Sequence, residues 1–181
     1  MTTITLQAAG YFLIPQPSLD TSDIIYYEVD VQQQDLRLYW KNEQGALFKS
    51  LGNLKDWANA RGEQMLFAMN GGMFNSIYAP QGLFIQEGKV ITPLDTTHAV
   101  GNFYLKPNGV FFITTGRKAF IRTTESFTLN NDIRFATQSG PMLLIGGQHH
   151  PAFKKGSTNT HIRNGVGIKG DGKLLFVMTK K

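Results

Sequence analysis

The chain has 181 residues, 41% of them hydrophobic and 17% charged, which favours one domain over 1–181 with a buried core and excludes a disordered composition. It contains no cysteine, which excludes disulfides, thiolate nucleophiles and zinc–thiolate sites. The net charge of +5 suits solubility or an anionic small molecule, and the scattered basic residues speak against nucleic acid as a partner.

Met1 to Pro17 lacks a positive start, a long apolar run and a small-residue cleavage site, so no signal peptide is expected. No stretch approaches the ~18 apolar residues of a spanning helix, so no membrane partner is expected and a cytoplasmic location is. Residues 1–22 hold two prolines and several Ser/Thr, and are expected to be loose or to add an edge strand. Ile24 to Val31 and Leu36 to Trp40 read as strands, the second by its alternation of Leu36, Leu38 and Trp40 with Arg37 and Tyr39. Asn42 to Gly45 forms a turn.

The spacing of Leu54, Trp57, Ala58 and Arg61 predicts a helix over 54–61 that packs on the sheet. Asn53 is its expected N-cap, Asp56 its first-turn acid and Gly62 its left-handed end. Met65 to Met69 then reads as a buried strand. Four hairpins are expected, with turns at Glu87-Gly88, Pro107-Asn108-Gly109, Gly146-Gly147 and Gly170-Asp171-Gly172, because Gly takes positive φ at low cost. The first joins Leu83–Gln86 to Lys89–Ile91 and the second Asn102–Leu105 to Val110–Thr114. The third joins Pro141–Ile145 to Gln148–His150 and the fourth Val166–Lys169 to Lys173–Met178. The fold class is α+β: a mainly antiparallel β meander of hairpins with one main helix on the sheet. Whether the last strand is central or an edge stays open.

Three segments can carry chemistry. In Asn70-Gly71-Gly72-Met73-Phe74-Asn75, two glycines after a buried strand bring backbone N–H groups close to a ligand, and Asn70 and Asn75 add amides. A tight turn with packed Met73 and Phe74 is the simpler alternative. In Thr137-Gln138-Ser139-Gly140-Pro141, Ser139 is either a nucleophile or a hydrogen-bonding turn residue, and no Gly-x-Ser-x-Gly elbow surrounds it. In His161-Ile162-Arg163-Asn164-Gly165, the Arg163 guanidinium can grip a phosphate with two donors or form a surface ion pair.

Among the acids, Asp95 stands out in a polar loop without an obvious turn duty. With His98 it makes an acid–base pair or a capped turn. Asp132 and Glu125 are weaker candidates. His149 and His150 point to opposite faces of a strand and make a poor metal pair, so no metal and no cofactor are expected.

Taken in order, several segments resemble the phosphodiester glycosidase family, that of the mannose 6-phosphate uncovering enzyme, N-acetylglucosamine-1-phosphodiester alpha-N-acetylglucosaminidase. They are Phe67-Ala68-Met69-Asn70-Gly71-Gly72-Met73-Phe74, Pro80-Gln81-Gly82-Leu83-Phe84-Ile85 with Glu87-Gly88-Lys89, and Gly101-Asn102-Phe103-Tyr104 with Pro107-Asn108-Gly109-Val110. Ala136 to Leu143 and Arg163 to Gly167 are the most telling. The resemblance runs roughly from 24 to 178, and Leu36 to Asn42 fits the bacterial branch.

It implies hydrolysis of a sugar-1-phosphate diester. Asn70, Gly71 and Gly72 are implied to line the pocket with Ser139, Gly140 and Arg163, the last as phosphate partner. Asp95, Ser139 and Arg163 are the catalytic candidates; Asn70, Gly71, Gly72, Asn75, Gln138, Gly140, Arg163 and Asn164 are the ligand-binding ones. Members of the family continue past the strand matching Leu174–Met178 into a helix and an Asp-Gly-rich segment, which this chain is expected to lack. They are often exported. The partner expected is a small phosphodiester or sugar-phosphate, with a homo-oligomer open as a guess. The alternative function is a non-catalytic binder that sequesters a sugar-phosphate or cyclic nucleotide signal.

Overall fold

A computed structural model describes residues 3–7, 23–158 and 161–180. In chain order its elements are β1 (Thr3–Gln7), β2 (Ile24–Val29), β3 (Asp35–Tyr39), α1 (Leu51–Ala60), β4 (Met65–Asn70), β5 (Phe84–Gln86) and β6 (Lys89–Thr92). There follow β7 (Gly109–Thr114), β8 (Ala119–Thr123), β9 (Ile133–Ser139), β10 (Leu144–Ile145), β11 (Gln148–His149), β12 (Asn164–Ile168) and β13 (Leu174–Thr179). They form a five-stranded sheet in the order β6-β5-β9-β7-β8, two three-stranded sheets, β3-β1-β4 and β12-β13-β2, and the small pair β10-β11. Each of these pairings is antiparallel, so the α+β, mainly antiparallel class holds.

The sheets share a core. Val29, Leu36, Leu38, Met69, Phe84, Phe111, Ile113, Phe135, Leu174 and Phe176 form one buried cluster, contributed by strands of all three larger sheets. A second cluster, with Leu83, Ile85, Val110 and Ala136, lies behind the five-stranded sheet. Period-two alternation assigns the faces: Phe84 and Phe111 point to the first cluster, Ile85 and Val110 to the second. The central strands β5, β9 and β7 are therefore buried on both sides, which explains the nearly unbroken apolar run of β7, whereas the edge strands β6 and β8 stay more exposed.

Several elements differ from the sequence reading. The helix starts at Leu51, three residues early, because Ser50 is the N-cap: its hydroxyl accepts from Asn53 N at 3.1 Å. Asn53 instead donates its side-chain amide to Phe48 O at 2.7 Å, and Asp56 falls in the second turn. Gly62, at φ 73°, does close the helix. Leu54 and Ala58 are buried, and Trp57 packs edge-on against Tyr39 and Phe48.

Segment 102–105 is not a hairpin arm. Asn102–Tyr104 is a single 3-10 turn, because Phe103 is drawn into the interior while Tyr104 stays at the surface side. The partner of β7 is β8, joined through a turn that places Arg117 at φ 56°. That turn is fixed from a distance: the Arg117 guanidinium donates to Val31 O and Gln34 O at 2.7 and 2.9 Å. The edge strand expected within 1–22 is instead interior, since β1 pairs with β3 on one side and β4 on the other. The remainder of that segment lies outside the described residues. The last strand, β13, is central.

Candidate functional site

Strand β4 ends at Asn70 and delivers the chain into Gly71 and Gly72. Gly72 faces β9 at very close range. A Cβ on it would sit 2.5 Å from Thr137 Oγ1 and 3.5 Å from Gln138 O. Only glycine fits there, and the absent side chain lets the first sequence motif lie directly on the second. Past it, Asn75 serves its own turn: its Oδ1 accepts from Ile77 N and Ala79 N at 3.1 and 3.0 Å. Its carbonyl oxygen is thereby committed, and the 75–79 turn is held beside the glycines.

The Gln138 side chain is fully buried and uses its whole hydrogen-bonding capacity inside the protein. Its Oε1 accepts from Leu83 N at 2.9 Å and Asp95 N at 3.0 Å; its Nε2 donates to Asp95 O at 2.7 Å and Thr124 Oγ1 at 3.1 Å. It therefore acts by position, clamping both backbone groups of Asp95 against the centre of the sheet. Gly82 makes room for this amide, since a Cβ there would meet Gln138 Oε1 and Phe103 Cζ at 2.5 Å each.

Asp95 is half-buried, and its Oδ1 accepts from Thr97 N at 2.8 Å. Hydrogen bonds from the Thr97 hydroxyl and backbone, with the Lys106 ammonium and the Tyr104 hydroxyl beside it, hold its carboxyl below the ordinary range against the opposing effect of burial. Of the two readings of this loop, the turn capped by Asp95 is the one formed. An acid tuned this way is anionic at neutral pH, suited to act as a base or to stabilise developing positive charge.

Ser139 closes β9 opposite Gly109, and Gly140 follows it into a constriction where a Cβ would meet Phe103 O at 2.6 Å and Asn108 Cβ at 2.7 Å. The buried His150 offers Ser139 no base. Ala152 N donates to its Nδ1 at 3.0 Å, so Nε2 carries the proton and donates to Lys106 O at 3.0 Å. Arg163 precedes β12 and Asn164 opens it, both as exposed residues. The Arg163 backbone is held by Thr179, its N donating to the Thr179 side-chain Oγ1 and its O accepting from Thr179 N. Gly165 next to them lies against Leu143, 3.1 Å from Cδ1 to the site of an added Cβ, which ties the third motif to the segment following Ser139 and Gly140.

The sequence reading singled out none of Tyr104, Lys106 and Gln81 as site neighbours, and it named Thr137 only as part of the segment around Ser139. Gln81 Nε2 reaches the Tyr104 hydroxyl at 3.5 Å, and Lys106 Nζ donates to Asn108 Oδ1 at 3.3 Å. A signal was present in Tyr-Leu-Lys-Pro-Asn-Gly, whose polar residues flank a turn, but misreading 102–105 as a strand arm hid it. Among the described residues, no group of three or more His, Asp or Glu side chains is placed to hold a metal ion.

The Gly71–Gly72 turn, the Thr137–Pro141 segment and the Arg163–Gly165 segment all fall within one stretch that matches a known family. The family model for phosphodiester glycosidase matches residues 63–181, and the chain belongs to that family. It is 36% identical over 155 residues to Uncharacterized protein YigE of Escherichia coli (strain K12), covering 86% of this chain. The matched region spans 60% of that relative's length. No solved structure matches. No helix among the described residues is long and apolar enough to cross a membrane.

Proposed function

We propose that the chain hydrolyses a glycosyl phosphodiester, breaking the bond between a sugar's anomeric carbon and the phosphate oxygen. Water adds to the anomeric carbon as that bond breaks, leaving a free sugar and a phosphomonoester. The observation that carries this reading is the seating of Gly72 on Thr137, which joins two motifs of the family at the end of β9, where the next residue, Gln138, holds the backbone of Asp95. A phosphodiester leaving group departs as a stabilised monoester anion, so it asks little of a general acid. The ionised Asp95 is suited to activate the water or to balance positive charge on the sugar ring. Arg163 and the backbone donors of the glycine turns hold the phosphate charge.

The test is incubation with a panel of sugar-1-phosphate diesters and nucleotide signals, followed by mass spectrometry. Release of a free sugar with the matching phosphomonoester supports the hydrolase. Recovery of intact ligand from the heat-denatured protein favours the sequestering binder instead. Arg163→Ala is expected to weaken binding of the anionic ligand by about 1.5–3 kcal/mol, the range for a charged hydrogen bond. Unchanged affinity on titration calorimetry removes Arg163 from the site.

A further inference from the structure

The turn beside the glycines carries two aromatic rings to the surface. Phe74 and Tyr78 are 37% and 40% exposed, stacked with centroids 6.1 Å apart and planes 12° from parallel, and Ile77 between them is 70% exposed. Three large apolar residues in one short polar turn oppose the usual composition of such turns.

The backbone there is built to hold them. Tyr78 sits at φ 62°, a conformation that costs a bulky side chain and persists only when its surroundings fix it. They do. Besides the two bonds to Asn75 Oδ1, Asn75 N donates to Ala79 O and Tyr78 N donates to Asn75 O, each at 3.0 Å. Trp40 Nε1, from beyond β3, donates to Tyr78 O at 2.7 Å. Phe74 bridges to Pro80, and Gln81 N closes the base of the turn on Met73 O at 2.9 Å. Only Met73 separates Phe74 from Gly72.

Fixed, exposed and parallel rings adjoining a phosphate site have a specific use. A flat ligand ring stacks on them without the entropic cost of ordering the loop. We propose that Phe74 and Tyr78 form a stacking subsite for a ring carried by the alcohol on the far side of the phosphate, either a nucleobase or the apolar face of a second sugar. This rests on the glycosidase reading and narrows its substrates to diesters whose aglycone bears a ring next to the phosphate. The catalytic groups act at the anomeric carbon, while the rings select what departs with the phosphate.

The experiment compares one sugar-1-phosphate esterified with methanol, with the 5′-hydroxyl of a nucleoside, or with the 6-hydroxyl of a hexose. The protein is expected to favour a ring-bearing ester over the methyl ester by about tenfold in kcat/KM, the nucleoside ester leading if the ligand ring is a base and the hexose ester if it is a sugar. Tyr78→Asn keeps a residue that tolerates the left-handed backbone, and Phe74→Leu keeps apolar bulk. Each is expected to bring the ratio close to one, with circular dichroism and the melting curve verifying the fold. Equal rates on all three esters, unaltered in both variants, overturn the subsite while leaving the hydrolase standing.

If none of the esters is cleaved, the hydrolase reading fails and the subsite is tested by binding alone. Chemical-shift titration then compares adenosine 5′-monophosphate and glucose 6-phosphate with methyl phosphate. A ring-bearing monoester binding about tenfold tighter than methyl phosphate, with the advantage lost in Tyr78→Asn, supports the rings. Equal affinities reject them.

Discussion

Asp95 shows how a single carboxylate is tuned by its neighbours. Its backbone is held by Gln138, and its carboxyl faces Thr97, Tyr104 and Lys106. Its pKa is lowered in the folded protein. The stabilisation from its contacts is therefore complete above the ordinary aspartate value of about 3.9 and is lost as pH falls through the lower folded value. The same sign applies to catalysis. If Asp95 acts as the ionised base, the acid limb of kcat/KM lies below about pH 4, because that limb reports the free enzyme's essential carboxylate. Asp95→Asn is expected to lower kcat by about 100-fold and to remove that limb. A pH–rate profile on both proteins decides it: a limb unchanged in the variant assigns the titration to another group.

Between elements, the decisive contact is that of the Gly71–Gly72 turn with β9. Gly72→Ala drives a methyl to 2.5 Å from Thr137 Oγ1, while the Thr137 Cβ lies at 3.8 Å. Thr137 is buried, so the hydroxyl has little room to retreat. Overpacking of this kind costs about 1–3 kcal/mol. Removing the oxygen with Thr137→Ala is expected to recover most of that loss in the double variant. Urea denaturation of the four proteins gives the coupling energy, and strict additivity would show that the two segments do not meet.

Much of the element pattern was legible in the sequence, because it follows from local chemistry. Glu87-Gly88 and Asp171-Gly172 mark real hairpins, with Gly88 and Gly172 at φ 75° and 83°. The limits are physical too. Ser50 and Asn53 are both competent caps, and which one acts depends on Phe48 O being there to receive the Asn53 amide. The β7–β8 turn contains Gly116 but is fixed by contacts from Arg117 to Val31 and Gln34, which no local reading can supply. For the site, the glycine motifs were readable, yet Gln138 as clamp rather than ligand group was not. Its burial follows from its place in β9 between β5 and β7.

At the scale of the whole molecule, the topology ties distant parts of the chain together. β13 pairs with β12 on one side and with β2 on the other, so residues 24–29 lie against 174–179. Glu28 on β2 receives Lys169 and Lys173 at 2.5 and 3.3 Å, and Phe176, fully buried, packs on Phe67 of β4 at 5.7 Å and Phe111 of β7 at 6.3 Å. One ring thus touches all three larger sheets. Phe176→Ala leaves a large cavity at that junction, and losses of about 3–5 kcal/mol are usual for such truncations. Because the sheets share this cluster, the loss is expected to weaken all of them together. Trp40 and Trp57 report from the region of β3 and α1, whereas far-ultraviolet circular dichroism reports the backbone as a whole. In urea the two signals are expected to keep a common midpoint in both proteins, displaced to lower concentration in the variant. Midpoints that separate in Phe176→Ala would show that the sheet carrying β3 keeps its own stability when the shared aromatic contact is gone.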